Sequence, residues 1–454
     1  MSRHPARRRR AQAGFTMVEL IVALLAGLLV AAGIVTLSRE ATNTFHEEAR
    51  ASAAEAGMRA AIDRLRADLQ RAGFMSTGNV LTDPMIAVAP GQPHIPSTAP
   101  TTLQNLASVF YNPSGSLTNL SGASPALSGA QTPPLTPDLI QVAGNMTTAD
   151  QYDVAYIAPA AAGCQSIYLS PTSPAMYRLM GNGAAGTAEL QAAFQPDPTF
   201  QAQFIVRLVD DSGHTQYLTT CNPGSGVPAA GVAAGGPYVS VNVNQNPIQT
   251  AQSTGTVAGL SGYAAGRAWV NPVQIVQWEI TTAGSTADPE PAQFVNGLEA
   301  TSDGGTDPTK YDLMRSYVDV ASGKIAQPTS EIVAEYAVDL GFAFTVDTGT
   351  ALNPTPVTFP FNNASNNTVA AVITNVSSTP ERIRSIRARL AVRAAQPDRT
   401  MNIAVSPSQY TNETYLYRYC VAQCSTAPAG SLVWARVRTV TTEVDLPNQA
   451  ANYY

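Results

Sequence analysis

The stretch GFTMVE, residues 14–19, opens an apolar run that continues to Leu37. A leader with five arginines precedes it, four of them consecutive at positions 7–10. The 23 residues from Phe15 to Leu37 carry a single charge, at Glu19. As a helix they measure about 34 Å, which is enough to cross a hydrocarbon core of about 30 Å. The basic leader predicts that the N-terminus lies in the cytoplasm and the rest of the chain on the far side of the membrane.

The carboxylate of Glu19 is the unusual feature of this run. A charged side chain inside a bilayer costs about 2.5–3.5 kcal/mol or more, so an intramembrane acid indicates a function and a partner. No Lys or Arg follows Glu19 within one helical turn. The nearest available cation is the α-amino group that a cut after Gly14 would create on Phe15.

Two ordinary explanations of this N-terminus fit less well. A secretory signal peptide has an apolar core of about 7–15 residues and a small-x-small cleavage site. This run is longer and continues into a charged helical pattern. A plain membrane anchor gives Glu19 no role.

The arrangement resembles the type IV prepilin family, whose signature is a basic leader, a Gly before the cut, a Phe after it and a Glu four residues further on. Gly14, Phe15 and Glu19 match these three positions. The resemblance implies that a prepilin peptidase cuts between Gly14 and Phe15 and methylates the new amine of Phe15. It also implies that Glu19 neutralises the Phe15 amine of a neighbouring subunit during filament assembly.

Residues 38–73 are predicted to continue the transmembrane helix (residues 15–37) as an exposed amphipathic segment. Apolar side chains at i, i+4, i+7 and i+11 form a stripe expected to pack on the globular part of the chain: Met58, Ile62, Leu65 and Leu69. Opposite charges four residues apart predict surface ion pairs: Glu55–Arg59, Arg59–Asp63 and Arg64–Asp68. The helix is expected to end near Gly73, a residue that suits a helix C-terminus.

The remaining chain has the composition of a secreted, loop-rich β protein. Only 13% of all residues are charged, and the chain has 33 Gly and 33 Pro. Residues 74–135 predict a loop-rich insert, either an irregular decoration or a flap. Residues 136–454 predict a β-rich extracytoplasmic headgroup. The fold class is therefore α+β: a long N-terminal helix packed on a large, mostly antiparallel β headgroup with long loop insertions.

Short apolar or alternating runs predict the strands of this headgroup. Strands are expected at 138–142 and 152–157 and hairpins at 203–220 and 311–325. Residues 269–282 predict a strand pair or one bulged strand, with Pro272 near a sheet edge. Residues 331–340 fit a short helix or a strand, and 342–346 a half-buried strand. Long strands are expected at 383–393, where apolar and basic residues alternate, and at 433–446.

Four cysteines lie on the oxidising side of the membrane, where disulfides persist. Three pairings are open, and nearest-neighbour pairing favours Cys164–Cys221 and Cys420–Cys424. A zinc site is the alternative, but it normally needs two close Cys pairs or supporting His. Only one close pair is present.

The order of elements is similar to that of PilW-like minor pilins, relatives of the J-type minor pseudopilins of type II secretion. The resemblance implies a protein of the inner membrane and then of a pilus, which helps to initiate type IV pilus assembly and sits at or near the tip. It implies as partners the prepilin peptidase, other minor pilins, the major pilin and a large tip adhesin.

Two further functions stay open at this point. A J-type pseudopilin of a type II secretion system has the same mechanics. An adhesin-like or DNA-uptake headgroup belongs to another class. Nucleic acid is not expected as a partner, because the leader takes five arginines with it and leaves a formal net charge of −11.

No motif predicts an enzyme, a cofactor or a metal with any force. The G-x-G-x-x-G sequence at 181–186 lacks the strand-before, helix-after pattern of a dinucleotide site and is interpreted as a flexible loop. Asp303 and Asp307 lie on a Gly-rich turn that could ligate calcium, but the turn is shorter than an EF-hand loop. The chain has no H-E-x-x-H and no G-x-S-x-G.

Overall fold

The computed structural model describes most of the chain in separate stretches. These are residues 16–86, 94–112, 137–158, 163–196, 202–211, 213–221, 228–245, 248, 250–253, 256–260, 267–281, 310–326, 329–350, 353–359, 361, 376, 378–397, 418–421 and 434–449. The chain forms two compact units, residues 1–53 and 54–454. We call the second the globular unit.

The described residues include four α-helices, eighteen strands and a 3₁₀ turn at Pro380–Arg382. The helices are α1 Met17–Gln70, α2 Thr101–Gln104, α3 Pro174–Gly181 and α4 Ala184–Phe194. The first nine strands are β1 Val109–Asn112, β2 Leu139–Gly144, β3 Tyr152–Ile157, β4 Cys164–Leu169, β5 Ile205–Asp210, β6 Thr215–Thr219, β7 Ala230–Ala233, β8 Gly236–Asn242 and β9 Thr250–Ser253. The others are β10 Thr256–Leu260, β11 Ala268–Thr281, β12 Asp312–Tyr317, β13 Glu331–Ala334, β14 Ala337–Asp347, β15 Pro356–Phe359, β16 Ile383–Arg393, β17 Arg418–Cys420 and β18 Trp434–Asp445.

These elements confirm the predicted α+β fold, a long N-terminal helix followed by a mostly antiparallel β structure. One sheet of eleven strands includes the path β1-β2-β11-β3-β4-β8-β7, with β5, β6, β12 and β13 attached through β11. A second sheet has the order β15-β14-β16-β18-β17. Neighbouring strands in both sheets run antiparallel.

Strand β11 joins two parts of the larger sheet. Its first half pairs with β5 and β3, and its second half with β2 and β12. The sequence predicted an edge position for Pro272, and this was wrong. Pro272 lies opposite Val206 of β5, in the interval between the residues of β11 that pair with β3 and those that pair with β2. A residue without an N–H is tolerated where one side of the strand has no regular ladder.

The end of α1 supplies the predicted apolar stripe. Met58, Ile62, Leu65 and Leu69 are buried and belong to the largest hydrophobic core, with side chains of both sheets. The helix ends at Gln70, and Gly73 follows with φ +72°, a conformation that glycine adopts without a Cβ penalty. The Gly73 amide donates to the Ala143 carbonyl at 2.9 Å. The predicted stripe and its packing are confirmed.

One predicted surface ion pair has a different partner. Glu55 and Arg59 pair at 2.6 Å as expected. Asp68 does not pair with Arg64, because its carboxylate is buried and bonds Arg315 of β12 at 2.7 Å. The i,i+4 spacing placed Asp68 on the surface, whereas a partner 247 residues away draws it inward.

The predicted insert at 74–135 contributes to the core of the fold. Strand β1 pairs with β2, and Val109 and Tyr111 lie in the same core as the helix stripe. Val80 and Leu103 belong to another hydrophobic cluster. Of the predicted insert, only residues 74–86 and 94–112 are described, and they contribute buried side chains to both clusters. The boundary at residue 135 and the alternatives of a decoration and a flap stay predictions.

The G-x-G-x-x-G sequence is not a flexible loop. It forms the turn of a helical hairpin, in which α3 and α4 pack against one another. Gly183 has φ +58°, and a Cβ on Gly186 would lie 1.7 Å from the Leu179 carbonyl oxygen. The glycines therefore let two helices meet closely, and the Ala-rich residues after them are helical.

Candidate assembly site at the start of the long helix

Thr16 and Glu19 close the N-terminal end of α1 by bonding each other. The Thr16 amide and the Thr16 hydroxyl both donate to Oε2 of Glu19 at 2.9 Å. The Glu19 amide donates to the Thr16 hydroxyl at 3.2 Å. This reciprocal arrangement is a capping box, which satisfies amides that have no partner inside the helix. The carboxylate of Glu19 is thus held close to the residue that follows Phe15 in the chain.

The turns after this cap expose apolar side chains. Met17 is 83% exposed and Leu37 is 74% exposed, and Leu, Val and Ile side chains between them are exposed as well. Helix α1 is long and apolar enough to cross a membrane, and none of its most apolar stretch is buried. Such a surface needs an apolar surrounding, because water contact costs about 25 cal/mol per Å². A hydrocarbon layer of about 30 Å is such a surrounding, and a helix of this length can cross it.

Gly14 and Phe15 lie outside the described residues, so the predicted cleavage and methylation site stays a prediction. Glu19 is described and exposed. The sequence pattern assigned Glu19 to a partner amine but gave Thr16 no structural role. The S/T-x-x-E spacing before an apolar run was the signal that would have identified the cap.

Cys164 and Cys221 form a disulfide, with their Cα atoms 5.7 Å apart. Cys164 begins β4, and Cys221 follows β6. The Cys221 amide donates to the Ser240 carbonyl of β8. The bond therefore ties the β5–β6 hairpin to the β4–β8 ladder. For the predicted Cys420–Cys424 bond, Cys424 and the side chain of Cys420 lie outside the described residues.

The basic face predicted for 383–393 is engaged within the protein. Arg389 bonds Asp339 at 2.7 Å, and Arg384 lies 3.6 Å from Asp347. Arg393 is buried and donates to two backbone carbonyls. The face therefore resembles an ion-paired surface rather than an open basic patch.

The other candidate ligands give no site. Asp303 and Asp307, proposed for calcium, lie outside the described residues. Within the part of the chain that the structure describes, no group of three or more His, Cys, Asp or Glu side chains has the arrangement of a metal site.

Comparison with known proteins adds one match. Residues 9–35 match a family model described as the prokaryotic N-terminal methylation motif. No curated protein and no solved structure matches the chain. The match indicates a type IV pilin-like or pseudopilin protein, in a segment that includes Gly14, Phe15 and Glu19. Such a motif implies processing by a prepilin peptidase and assembly with other pilins, and it agrees with anchoring in the inner membrane.

Proposed function

We propose that this chain is a minor pilin of PilW type, which helps to initiate a type IV pilus and occupies a position at or near its tip. The N-terminal methylation motif, followed by an apolar helical segment whose residues 17–37 are all exposed, carries the proposal. In this role residues 1–14 are a leader removed by the peptidase, and the helix is stored in the membrane until it packs among the helices of the filament. Small residues such as Gly27 and Gly33 allow close helix packing.

The size of the globular unit supports a rare position rather than a repeated one. It spans residues 54–454. A repeated filament subunit with so large a unit crowds its neighbours, whereas a tip subunit has free space ahead of it. Other minor pilins, the major pilin and a tip adhesin are its partners under this proposal.

A J-type pseudopilin of a secretion system is the second candidate, because the methylation motif supports it equally. The two differ in their assembly partners. Co-purification from membranes through an epitope on the globular unit distinguishes them: pilus subunits favour the first, and secretion-system subunits the second. The adhesin-like or DNA-uptake alternative predicts retention of DNA that weakens steeply with salt.

The first test of the proposal is the N-terminus of the mature protein. Because Gly14 precedes the Phe-Thr-Met-Val-Glu sequence, we expect mature protein to begin at a methylated Phe15. N-terminal mass spectrometry of the membrane fraction checks this. Deletion of the host's prepilin peptidase is the control and should leave the leader attached. An intact leader in normal cells, or a cut beyond residue 30, contradicts the proposal.

A further inference from the structure

A buried carboxylate near the end of α1 receives three hydrogen bonds from two strands. Arg315 of β12 donates from Nε to Oδ2 of Asp68 at 2.7 Å and from Nη2 to Oδ1 at 3.3 Å. Trp278 of β11 donates from Nε1 to Oδ2 at 3.0 Å. All three side chains are buried. The other buried residues of α1 are all apolar: Ala51, Met58, Ala61, Ile62, Leu65 and Leu69.

The apolar stripe does not define the position of the helix along the sheet by itself. Its residues recur every three or four positions, so a shift by one turn, about 5.4 Å, brings one leucine to the place of another. Aliphatic side chains of similar volume are exchanged in cores at modest cost. The stripe therefore fits the sheet in a second register, in which Met58 takes the place of Ile62 and Leu65 that of Leu69.

The polar contact distinguishes these registers sharply. A shift by one turn in one direction brings Arg64, four residues before Asp68, to Arg315, so two like charges meet. The opposite shift brings Ala72 there and leaves Arg315 and Trp278 without the acceptor they have now. A buried charge without its partner is strongly destabilising. We propose that Asp68, Arg315 and Trp278 form a register lock, which sets the position of residues 54–70 of α1 on strands β11 and β12.

The surroundings of the lock agree with this role. Burial alone lowers the pKa of Arg315, but the hydrogen bond and the charge of Asp68 outweigh it and raise the pKa above its usual range, so the guanidinium stays charged. Arg315 also stacks on Tyr317, 4.9 Å from the ring centre. Glu331 of β13 lies 3.7 Å from Arg64 and 4.0 Å from Arg315, between the two cations. The inference concerns the globular unit and does not depend on the proposed function.

The test separates register from stability with a double variant. In Asp68→Leu/Arg315→Met both charges are replaced by apolar side chains of similar size, a change that is often neutral or stabilising for a buried pair. Spin labels at Gly57→Cys and Asp445→Cys report the helix position in the full chain in nanodiscs. Gly57 has open space for a side chain, and Asp445 is exposed. Protein without the added cysteines controls for labelling of native thiols.

We expect one narrow distance distribution in protein that keeps the lock. The double variant should melt within a few degrees of it but show a broadened distribution, with a component displaced by about 5 Å, one helical turn. Asp63→Leu, an exposed acid on the same helix, is the matched control and should change neither reading. Asp68→Asn should lower the folding equilibrium constant by about 100-fold or more, because it leaves the buried Arg315 without its buried counter-charge.

Two results overturn the proposal. One is an unchanged single distance in the double variant, because the apolar stripe and the helix-end bonds of Gly73 and Asn448 then suffice for the register. The other is a much lower melting temperature with a single distance, because the pair then contributes stability and not register. If Asp68→Asn does not fold, the double variant still decides between these outcomes.

Discussion

The carboxylate of Glu19 has two roles, one in the structure and one in the proposed assembly. In the structure it caps its own helix through Thr16. In the proposed assembly it neutralises the amine of a neighbouring Phe15. The first needs an acceptor at this position, and the second needs a negative charge. A glutamine can still form the cap, because the capping box accepts Gln as well as Glu. It cannot neutralise an amine, because it carries no charge.

The Glu19→Gln and Glu19→Ala variants separate the two roles. Both should be cleaved and inserted normally, because neither step needs the carboxylate. If assembly requires the charge, we expect both variants to be depleted from sheared filaments by similar factors. Their abundance in membranes and in filaments, with the cleaved band as control, is the measurement.

Normal incorporation of the glutamine variant alone contradicts a role for the charge and assigns Glu19 to the cap. Normal incorporation of both variants would also fit a subunit at the extreme tip. Such a subunit has no subunit ahead of it, so its Glu19 has no amine to neutralise. Crosslinking then distinguishes a tip subunit, with neighbours on one side only, from a wrong account of Glu19.

At the scale of the element, the close contact between α3 and α4 depends on Gly186. A Cβ on Gly186 would overlap the Leu179 carbonyl oxygen, a backbone atom that cannot move alone. We expect Gly186→Ala to lower stability by about 1–3 kcal/mol, the usual cost of overpacking. Thermal unfolding of the full chain measures it. Gly181→Ala is the matched control, because its Cβ meets no atom within 4 Å, and equal melting of the two variants would refute the close contact.

The disulfides also belong to this scale. Peptide mapping without reduction should recover Cys164 linked to Cys221 and Cys420 linked to Cys424. The first bond encloses a sequence separation of 57 residues, so Cys164→Ser should cost about 2–4 kcal/mol. Free thiols throughout, or bound zinc, would show the cysteine assignment to be wrong.

Local patterns predicted many of the elements but not their partners. The alternation of 383–393 predicted β16, and the helical stripe predicted the buried face of α1. The same local logic paired Asp68 with Arg64, because a sequence window cannot contain Arg315. The Ala-rich α4 was missed for a related reason. Its glycines suggested a loop, whereas Gly186 allows close packing against the Leu179 carbonyl, a contact that the local pattern does not reveal.

The functional features divide in the same way, into those that the local sequence indicates and those that depend on contacts between distant residues. Position and residue type alone suggested Glu19 and its partner amine, and the cap formed by Thr16 follows from the spacing. The register lock rests on a contact over 247 residues, which no spacing rule reaches. Strand β1, inside the predicted insert, was not among the predicted strands, because turn-forming residues around it hid a largely buried run of four residues.

At the scale of the whole molecule, buried tyrosines predict sensitivity to alkali. Burial raises the pKa of Tyr217 to about 12, and burial followed by the charge of Asp150 does the same for Tyr152. In the unfolded chain these phenols ionise near pH 10. Their contribution to stability is therefore complete below about pH 10 and is lost as the pH rises toward 12, by about 2 kcal/mol for Tyr217.

Urea unfolding at a series of pH values between 9 and 12 measures this loss. Absorbance at 295 nm in the folded state should show a class of tyrosines that ionise late. A free energy of unfolding that stays constant from pH 10 to pH 12 contradicts the prediction. So does a single ionisation step near pH 10 in protein that remains folded.

The largest core joins two segments that are far apart in the sequence, since the stripe that ends at Leu69 shares this core with Val437 and Val444 of β18. Synthesis makes the stripe before it makes that strand. At about 5–20 residues per second, the interval between Leu69 and Val444 lasts about 20–75 s. During this interval the leucines of the α1 stripe lack their partners from β18 and are open to chaperones or to other incomplete chains. The order of translation alone therefore delays completion of this core.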